Sequence, residues 1–204
     1  MTPYTNVPYN GQPHTATVTS ITGVNGETGA TVGTVDVSHT AHTNPGDYPS
    51  DSWSFTGTAN YNNTSGTVDD SIIFSNACVA GLGGAVLPPI NLDGSSVYKR
   101  QGGSTIPVKF RVCDAFGNAI SNPNLVFGPS SGSITMLSAV RGTVDNVNET
   151  ITNNIADAAF RWDSSGQQWI FNMATTNLTS GLTYTFRINL ANTSQSIVFG
   201  IGVK

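Results

Sequence analysis

Three histidines, two cysteines and a scatter of carboxylates are the groups in this 204-residue chain with the chemistry to move a proton, hold a metal or form a covalent bond. His39 and His42 stand near Asp36 and Asp47, and imidazole and carboxylate ligands of this kind can build a metal site. In an extended strand, however, a spacing of three puts the two rings on opposite faces, so surface or turn histidines are expected. His14 has no partner nearby in sequence. Residues 73–204 contain no histidine, which excludes a Ser-His-Asp or Cys-His system within that part. The two glutamates, Glu27 and Glu149, fall in separate expected loops, so they offer no acid pair across a cleft for glycoside hydrolysis. The expectation is a protein with no catalytic residues and no cofactor, not an enzyme.

Asp69 and Asp70 are the weak metal candidates. They lie at an expected domain junction, where hard oxygen ligands could hold Ca²⁺, although calcium sites gather more carboxylates than two. Solvated acids are the default reading. Cys78 and Cys113 form a lone pair without further Cys or His at short spacing, which reads as a disulfide or two buried thiols rather than a metal site. A disulfide would imply an oxidising compartment. Asn62, Asn63, Asn148, Asn177 and Asn192 each open an N-glycosylation sequon, a pattern that chance produces often in a chain so rich in Asn and Thr.

The elements that carry these groups are strands. Only 10% of residues are charged, Gly numbers 22, and the rest of the polar surface is mostly Thr, Ser and Asn, a mix that suits β structure with many turns. Alternation is frequent and no segment sustains a helical period. Strands are expected at residues 14–19, 31–37, 53–55, 67–74, 106–113, 158–162, 168–173, 183–189 and 196–203, with 134–141 either a strand or a short helix. In the clearest of them, Ile106, Val108, Phe110 and Val112 share one face, expected to be core. Pro107, Lys109, Arg111 and Cys113 share the other, expected to be surface or edge. The longest weakly polar stretch, 77–90, is interrupted by glycines and prolines and is too short to span a membrane as a helix, so no membrane insertion is expected.

Charge divides the chain in two. Residues 1–76 carry no Lys or Arg and a formal −6, whereas residues 77–204 carry all eight basic groups and a formal +2. The net −4 argues against a nucleic-acid partner, which would demand clustered basic residues. The asymmetry places a domain boundary near residue 72, giving β modules at 1–72 and 73–204. Met1-Thr2-Pro3 lacks the basic and apolar regions of a secretory signal, which reads as a mature portion of a longer precursor or a start codon placed ahead of one.

In residues 73–204, Gly103-Ser104-Thr105-Ile106 leads into Pro107, Lys109 and Phe110, followed in order by Asp114-Ala115-Phe116-Gly117-Asn118, Phe160-Arg161-Trp162-Asp163, Gln168-Trp169-Ile170-Phe171-Asn172 and Val198-Phe199-Gly200. Through these motifs the second module resembles the PxKF domain, an immunoglobulin-like β module of secreted bacterial and archaeal proteins. The cysteine pair and an Asn-rich segment at 142–157 depart from that pattern. The first module, over residues 4–72, resembles the MBG-type repeats of large bacterial surface proteins through Tyr9-Asn10-Gly11, Thr43-Asn44-Pro45-Gly46-Asp47-Tyr48 and the late Gly57-Thr58-Ala59-Asn60-Tyr61. The Lys that family often has around the opening is missing here. The resemblances imply an all-β protein whose second module is an Ig-like sandwich and whose first is a small Ig-like or β-grasp-like domain.

They also imply an extracellular or cell-surface setting, with other modules of a parent chain as partners. The expected role is a stalk, spacer or adhesive part of a bacterial surface protein. Two alternatives stand beside it: a module in which Tyr4, Tyr9, Tyr61 or Trp53 stacks on the sugars of glycans or mucins, and a fibre subunit assembled by strand addition. An exposed cluster of those rings would favour adhesion and their burial would favour spacing.

Overall fold

A computed structural model describes residues 1–100, 105–128, 132–141 and 159–204. The protein is all-β and divides into two compact units, Met1–Ile73 and Phe74–Lys204.

In the first unit, β1 (Val7–Pro8), β2 (Gly33–Asp36), β3 (Gly46–Gly57) and β4 (Thr64–Ile73) form one sheet in the order β1-β4-β3-β2. β1 runs parallel to β4 and the other pairs are antiparallel. β3 alternates Ser52 and Ser54 with Trp53 and Phe55, and β4 carries Thr64, Thr67, Val68, Ile72 and Ile73, residues that suit a half-buried pleated surface. Asp51, Trp53 and Phe55 of β3 share the inner face with Gly66, Val68, Asp70 and Ile72 of β4. The register shifts between Tyr48 and Asp51. There Ser50 takes a positive φ of 64° and donates its N–H to Asp69 Oδ1 at 2.9 Å, so a β-bulge sets the direction of Asp51.

The apolar core of this unit is small, with Ala16, Val32 and Ile72 buried. Polar groups complete it. Thr40 Oγ1 accepts from Ala16 N at 2.9 Å and donates to Val37 O at 2.8 Å, and the Tyr4 hydroxyl donates to Thr40 O at 3.0 Å. The alternating stretch at 14–19 does not become a strand. Thr17 bridges Thr2 and His14 bridges His42 singly, because in that stretch only Ala16 is buried and one small side chain cannot anchor a ladder.

The second unit opens with a two-strand ribbon, β5 (Ala77–Cys78) against β6 (Gly81–Leu82). Its two larger sheets use β7 (Val86–Leu87), β8 (Val97–Tyr98), β9 (Thr105–Phe110), β10 (Ile134–Arg141), β11 (Arg161–Asp163), β12 (Gln168–Ala174), β13 (Leu182–Asn189) and β14 (Ser196–Val203). One sheet runs β10-β13-β14-β8 and the other β11-β12-β9-β7. The segment 134–141 is thus a strand. Tyr184, Phe186 and Ile188 pair with Ile201, Phe199 and Ile197 on one buried face. Ile106, Val108 and Phe110 pair with Met173, Phe171 and Trp169 on another. Around Phe110 the rings of Phe127, Phe160 and Trp169 close a cluster with neighbouring centroids 5.0–6.0 Å apart. Trp169 Nε1 donates to Ile120 O at 2.9 Å, which satisfies the buried indole.

A five-residue helix, α1 (Pro123–Phe127), starts at an Asn122 cap whose side chain accepts from Asn124 N, with Pro123 in the first turn. In the turn between β13 and β14 the Gln195 amide accepts from Phe74 N at 2.7 Å and donates to Phe74 O at 3.0 Å. Among the described residues no helix is long and apolar enough to cross a membrane.

Candidate functional site

The inner face of the first unit's sheet is not fully covered. Trp53, Phe55 and Tyr61, all half-buried, line an open groove of about 350 Å³ together with Val35, Ser20 and Thr22. Sequence places the rings there in two steps. Period-two alternation points Trp53 and Phe55 to the same side, and the turn after Gly57 returns Tyr61 to it. Glycines make room for them. Gly66 stands across the ladder from Trp53, where a Cβ would come within 2.6 Å of the indole, and a Cβ on Gly33 would collide with the Phe55 ring. The Tyr61 hydroxyl hydrogen-bonds the Glu27 carboxyl, which is held below the usual carboxylate range by its own backbone N–H and by that hydroxyl. Burial and the Glu27 bond push the Tyr61 phenol up. The groove therefore presents flat apolar rings, with hydroxyls nearby and no charged side chain in its lining. Such a surface suits a neutral ring with an apolar face and a hydroxylated rim.

A second cluster lies in the same unit. His42 Nε2 bonds Asp51 Oδ2 at 2.8 Å, and the His42 ring stacks on Tyr48 with centroids 3.7 Å apart. Asp70, 2% exposed, accepts from Tyr4 N at 2.9 Å through Oδ1. His14 joins by pairing its backbone with His42 and setting its ring 5.7 Å from Tyr4. Burial, followed by the nearby Asp70 and Asp51 carboxylates, pushes the Tyr4 phenol well above its ordinary value. Spacing in sequence sets His42 near Asp36 and Asp47, but its partner is Asp51. The pairing depends on the bulge at 48–51. His39 sits in a 3-10 turn at Ser38–Thr40 and is exposed.

Asp69 and Asp70 do not act together. They alternate across β4, Asp69 bonding Ser50 N on one face and Asp70 bonding Tyr4 N on the other. Asp70 is therefore not a solvated acid. Among the described residues no group of three or more His, Cys, Asp or Glu could hold a metal ion.

In the second unit Cys78 and Cys113 are joined as a disulfide with Cα atoms 5.6 Å apart. Phe110 is core, but the opposite face of its strand is not simply surface. Pro107 is buried, Arg111 is 8% exposed and Cys113 is fully buried, whereas Lys109 is half-buried. The reason is that β9 lies between β12 and β7, and the disulfide anchors the β5–β6 ribbon at Cys113. Pro107 is tolerated in this inner strand because β7 ends at Leu87, opposite Lys109, so β7 does not pair with Pro107. Arg111 donates Nη1 to Ala80 O and Nη2 to Gly166 O, the latter at 2.9 Å.

Two sequons have structural duties. Asn63 Oδ1 accepts from Gly57 N at 2.9 Å, and the buried Asn192 accepts from Ser194 and Gln195. Glu149, the sequon at Asn148 and the segment 142–157 lie outside the described residues.

No family model matches the sequence, and no curated protein is significantly similar to it. Two solved structures show a distant likeness. One is the endo-fucoidan hydrolase MfFcnA9 from glycoside hydrolase family 107, with a TM-score of 0.26 and 12% identity over 98% of this chain and 33% of the hydrolase. The other is the endo-fucoidan hydrolase MfFcnA4 of the same family, with a TM-score of 0.21 and 11% identity over 100% of this chain and 28% of the hydrolase. The chain spans about a third of these structures or less. Likeness at this level carries no argument about fold or activity.

Proposed function

We propose that this chain is a non-catalytic, two-unit β segment of an extracellular bacterial protein, and that its first unit recognises neutral sugars of glycans or mucins through the Trp53, Phe55 and Tyr61 groove. The single observation behind the reading is that two of the four rings named as stacking candidates from sequence, Trp53 and Tyr61, line one open groove, whereas the half-buried Tyr4 and Tyr9 lie outside its lining. A sugar ring has an apolar C–H face that packs on an aromatic face and hydroxyls that reach Ser and Thr side chains, so an uncharged aromatic groove matches it.

The non-catalytic part rests on the sequence, in which residues 73–204 carry no histidine and the two glutamates offer no acid pair. The extracellular part is supported by the Cys78–Cys113 disulfide, a bond that persists in oxidising compartments. In this proposal the second unit is a PxKF-like Ig-type sandwich and the first an MBG-like repeat, joined to other modules of a parent chain as stalk or spacer. Assembly by strand donation has less support. The N-terminal segment is already engaged in its own unit, at Thr2 on Thr17 and at Val7 and Pro8 on β4.

The test is an array of mucins and defined glycans probed with the labelled, non-reduced full chain at physiological salt. Binding to neutral glycans is expected. Silence would remove recognition and leave the spacer role.

A further inference from the structure

Asp70 poses a problem of charge. It sits on β4 opposite Tyr48 of β3 and is 2% exposed. Its Oδ1 accepts the Tyr4 N–H, but its buried Oδ2 has no hydrogen-bond donor. The neighbouring carboxyl that raises the Asp70 value is that of Asp51, which shares the inner face of the β3–β4 pair. Asp51 Oδ2 is already bonded to His42 Nε2 at 2.8 Å. If both acids were ionised, a buried oxygen would be left unsatisfied and two like charges would be in contact, each of them costly.

The surroundings offer little relief. The ionisable groups packed around the pair are Asp51, Asp47 and Tyr48 of β3, Tyr4 of the N-terminal segment, and His42 and His14 beside them. Residues 1–76 contain no Lys or Arg, so imidazole is the sole cationic side chain the unit can supply. His42 is bonded to Asp51, and it lowers the Asp70 carboxyl by less than burial raises it. One proton placed between the two acids removes the problem, since Asp70 Oδ2 becomes a donor and Asp51 its acceptor.

We propose that Asp70 and Asp51 share a proton, and that this O–H···O bond is a pH-sensitive fastener of the first unit, tying β4 to β3 beneath Tyr4 and releasing as the medium becomes more alkaline. Burial pushes the Asp70 carboxyl up, the Tyr4 N–H acts against that shift, and Asp51 adds to it. The sign follows from linkage. A carboxyl raised in the folded state contributes stability in full below its unfolded value, about 3.9, and loses it as pH rises through the raised folded value. The device is independent of the sugar-binding reading, because neither acid lines the groove.

The experiment uses the full chain. Carbon-detected NMR follows the side-chain carboxyls of Asp70 and of Asp36, which is held below the ordinary range by the backbone N–H and hydroxyl of Ser38. Asp70 is expected to titrate above about 3.9 and Asp36 below it. A titration of Asp70 at or below the ordinary value overturns the proposal. The second measurement uses Asp70→Asn, which keeps an acceptor for Tyr4 N and adds a permanent N–H donor toward Asp51. Urea unfolding, read on β4 amide signals, should show the variant gaining on the wild type as pH rises from about 3, below the unfolded carboxyl value, to about 8. The gain is about tenfold in the unfolding equilibrium for each pH unit by which the Asp70 value is raised. A difference that stays constant across that range contradicts a shared proton, and the wild-type titration decides the matter should the variant fail to fold.

Discussion

Trp53 and Gly66 face each other across the β3–β4 ladder, and the indole occupies the space that a side chain at position 66 would fill, its Cζ2 lying 2.6 Å from where a Cβ would stand. The missing side chain is what lets Trp53 lie along the sheet and form one wall of the groove. Gly66→Ala is therefore expected to turn the indole rather than unfold the unit, at a cost of about 1–3 kcal/mol typical of overpacking. Trp53 side-chain NMR signals together with urea unfolding read both effects. An unmoved Trp53 signal would contradict this placement.

Gly57 is a harsher position, because a Cβ there meets the Tyr61 carbonyl, which is backbone and cannot swing away. Gly57→Ala should destabilise the first unit more than Gly66→Ala does. Urea midpoints of the two variants, read on first-unit amide signals, make the comparison.

Cys78 and Cys113 close a loop with a sequence separation of 35, which loop entropy values at roughly 4 kcal/mol. Reduction should lower the melting temperature of the second unit and leave the first unit's signals unchanged. Thermal scans with and without a phosphine reductant, followed by NMR, test this.

Arg111 binds two peptide carbonyls, those of Ala80 and Gly166. Removing the guanidinium leaves both carbonyls short of a donor and opens space in the second unit. Arg111→Ala is expected to cost about 2–4 kcal/mol in urea unfolding.

Asp163 opens the β11–β12 turn and accepts from Ser165 and Gln168. The Ser165 hydroxyl, then Gln168 and the Gly166 N–H, lower its carboxyl to about 2. A lowered carboxyl adds stability above its unfolded value and loses it as pH falls through the folded one. Asp163→Ala should thus be less stable than wild type at pH 6, with the gap narrowing between pH 4 and pH 2. Melting temperatures across that range supply the check.

Much of the fold was legible in alternation. Ile106, Val108 and Phe110 declared a core face because every second residue is large and apolar, and the faces of β12, β13 and β14 were readable in the same way. Arg111 misled for a physical reason. An arginine between apolar neighbours reads as the solvent side of a strand, yet its partners are carbonyls of Ala80 and Gly166, and peptide carbonyls leave no trace in residue type. Residues 14–19 misled in the opposite direction, since alternation with Thr looks like a strand even where there is little apolar area to bury.

The site was half legible. Trp53 and Tyr61 could be named as stacking candidates, but Phe55 and the glycines that make room for the rings depend on register. The Asp51–Asp70 pair was missed because the acids are 19 positions apart and the bulge at Ser50 brings them together. One signal did point there. Six acids and no Lys or Arg in the first 76 residues mean that any acid buried in this unit must find a proton or a histidine in place of a basic partner.

The most direct test of a sugar-binding first unit is to compare wild type and Trp53→Ala, both non-reduced full chains, on neutral glycans and mucins at physiological salt. The account predicts reproducible wild-type binding that falls at least about tenfold in the variant, equivalent to about 1.4 kcal/mol, while NMR signals of the second unit stay unchanged. Equal binding by the two proteins, or none by either, would contradict it.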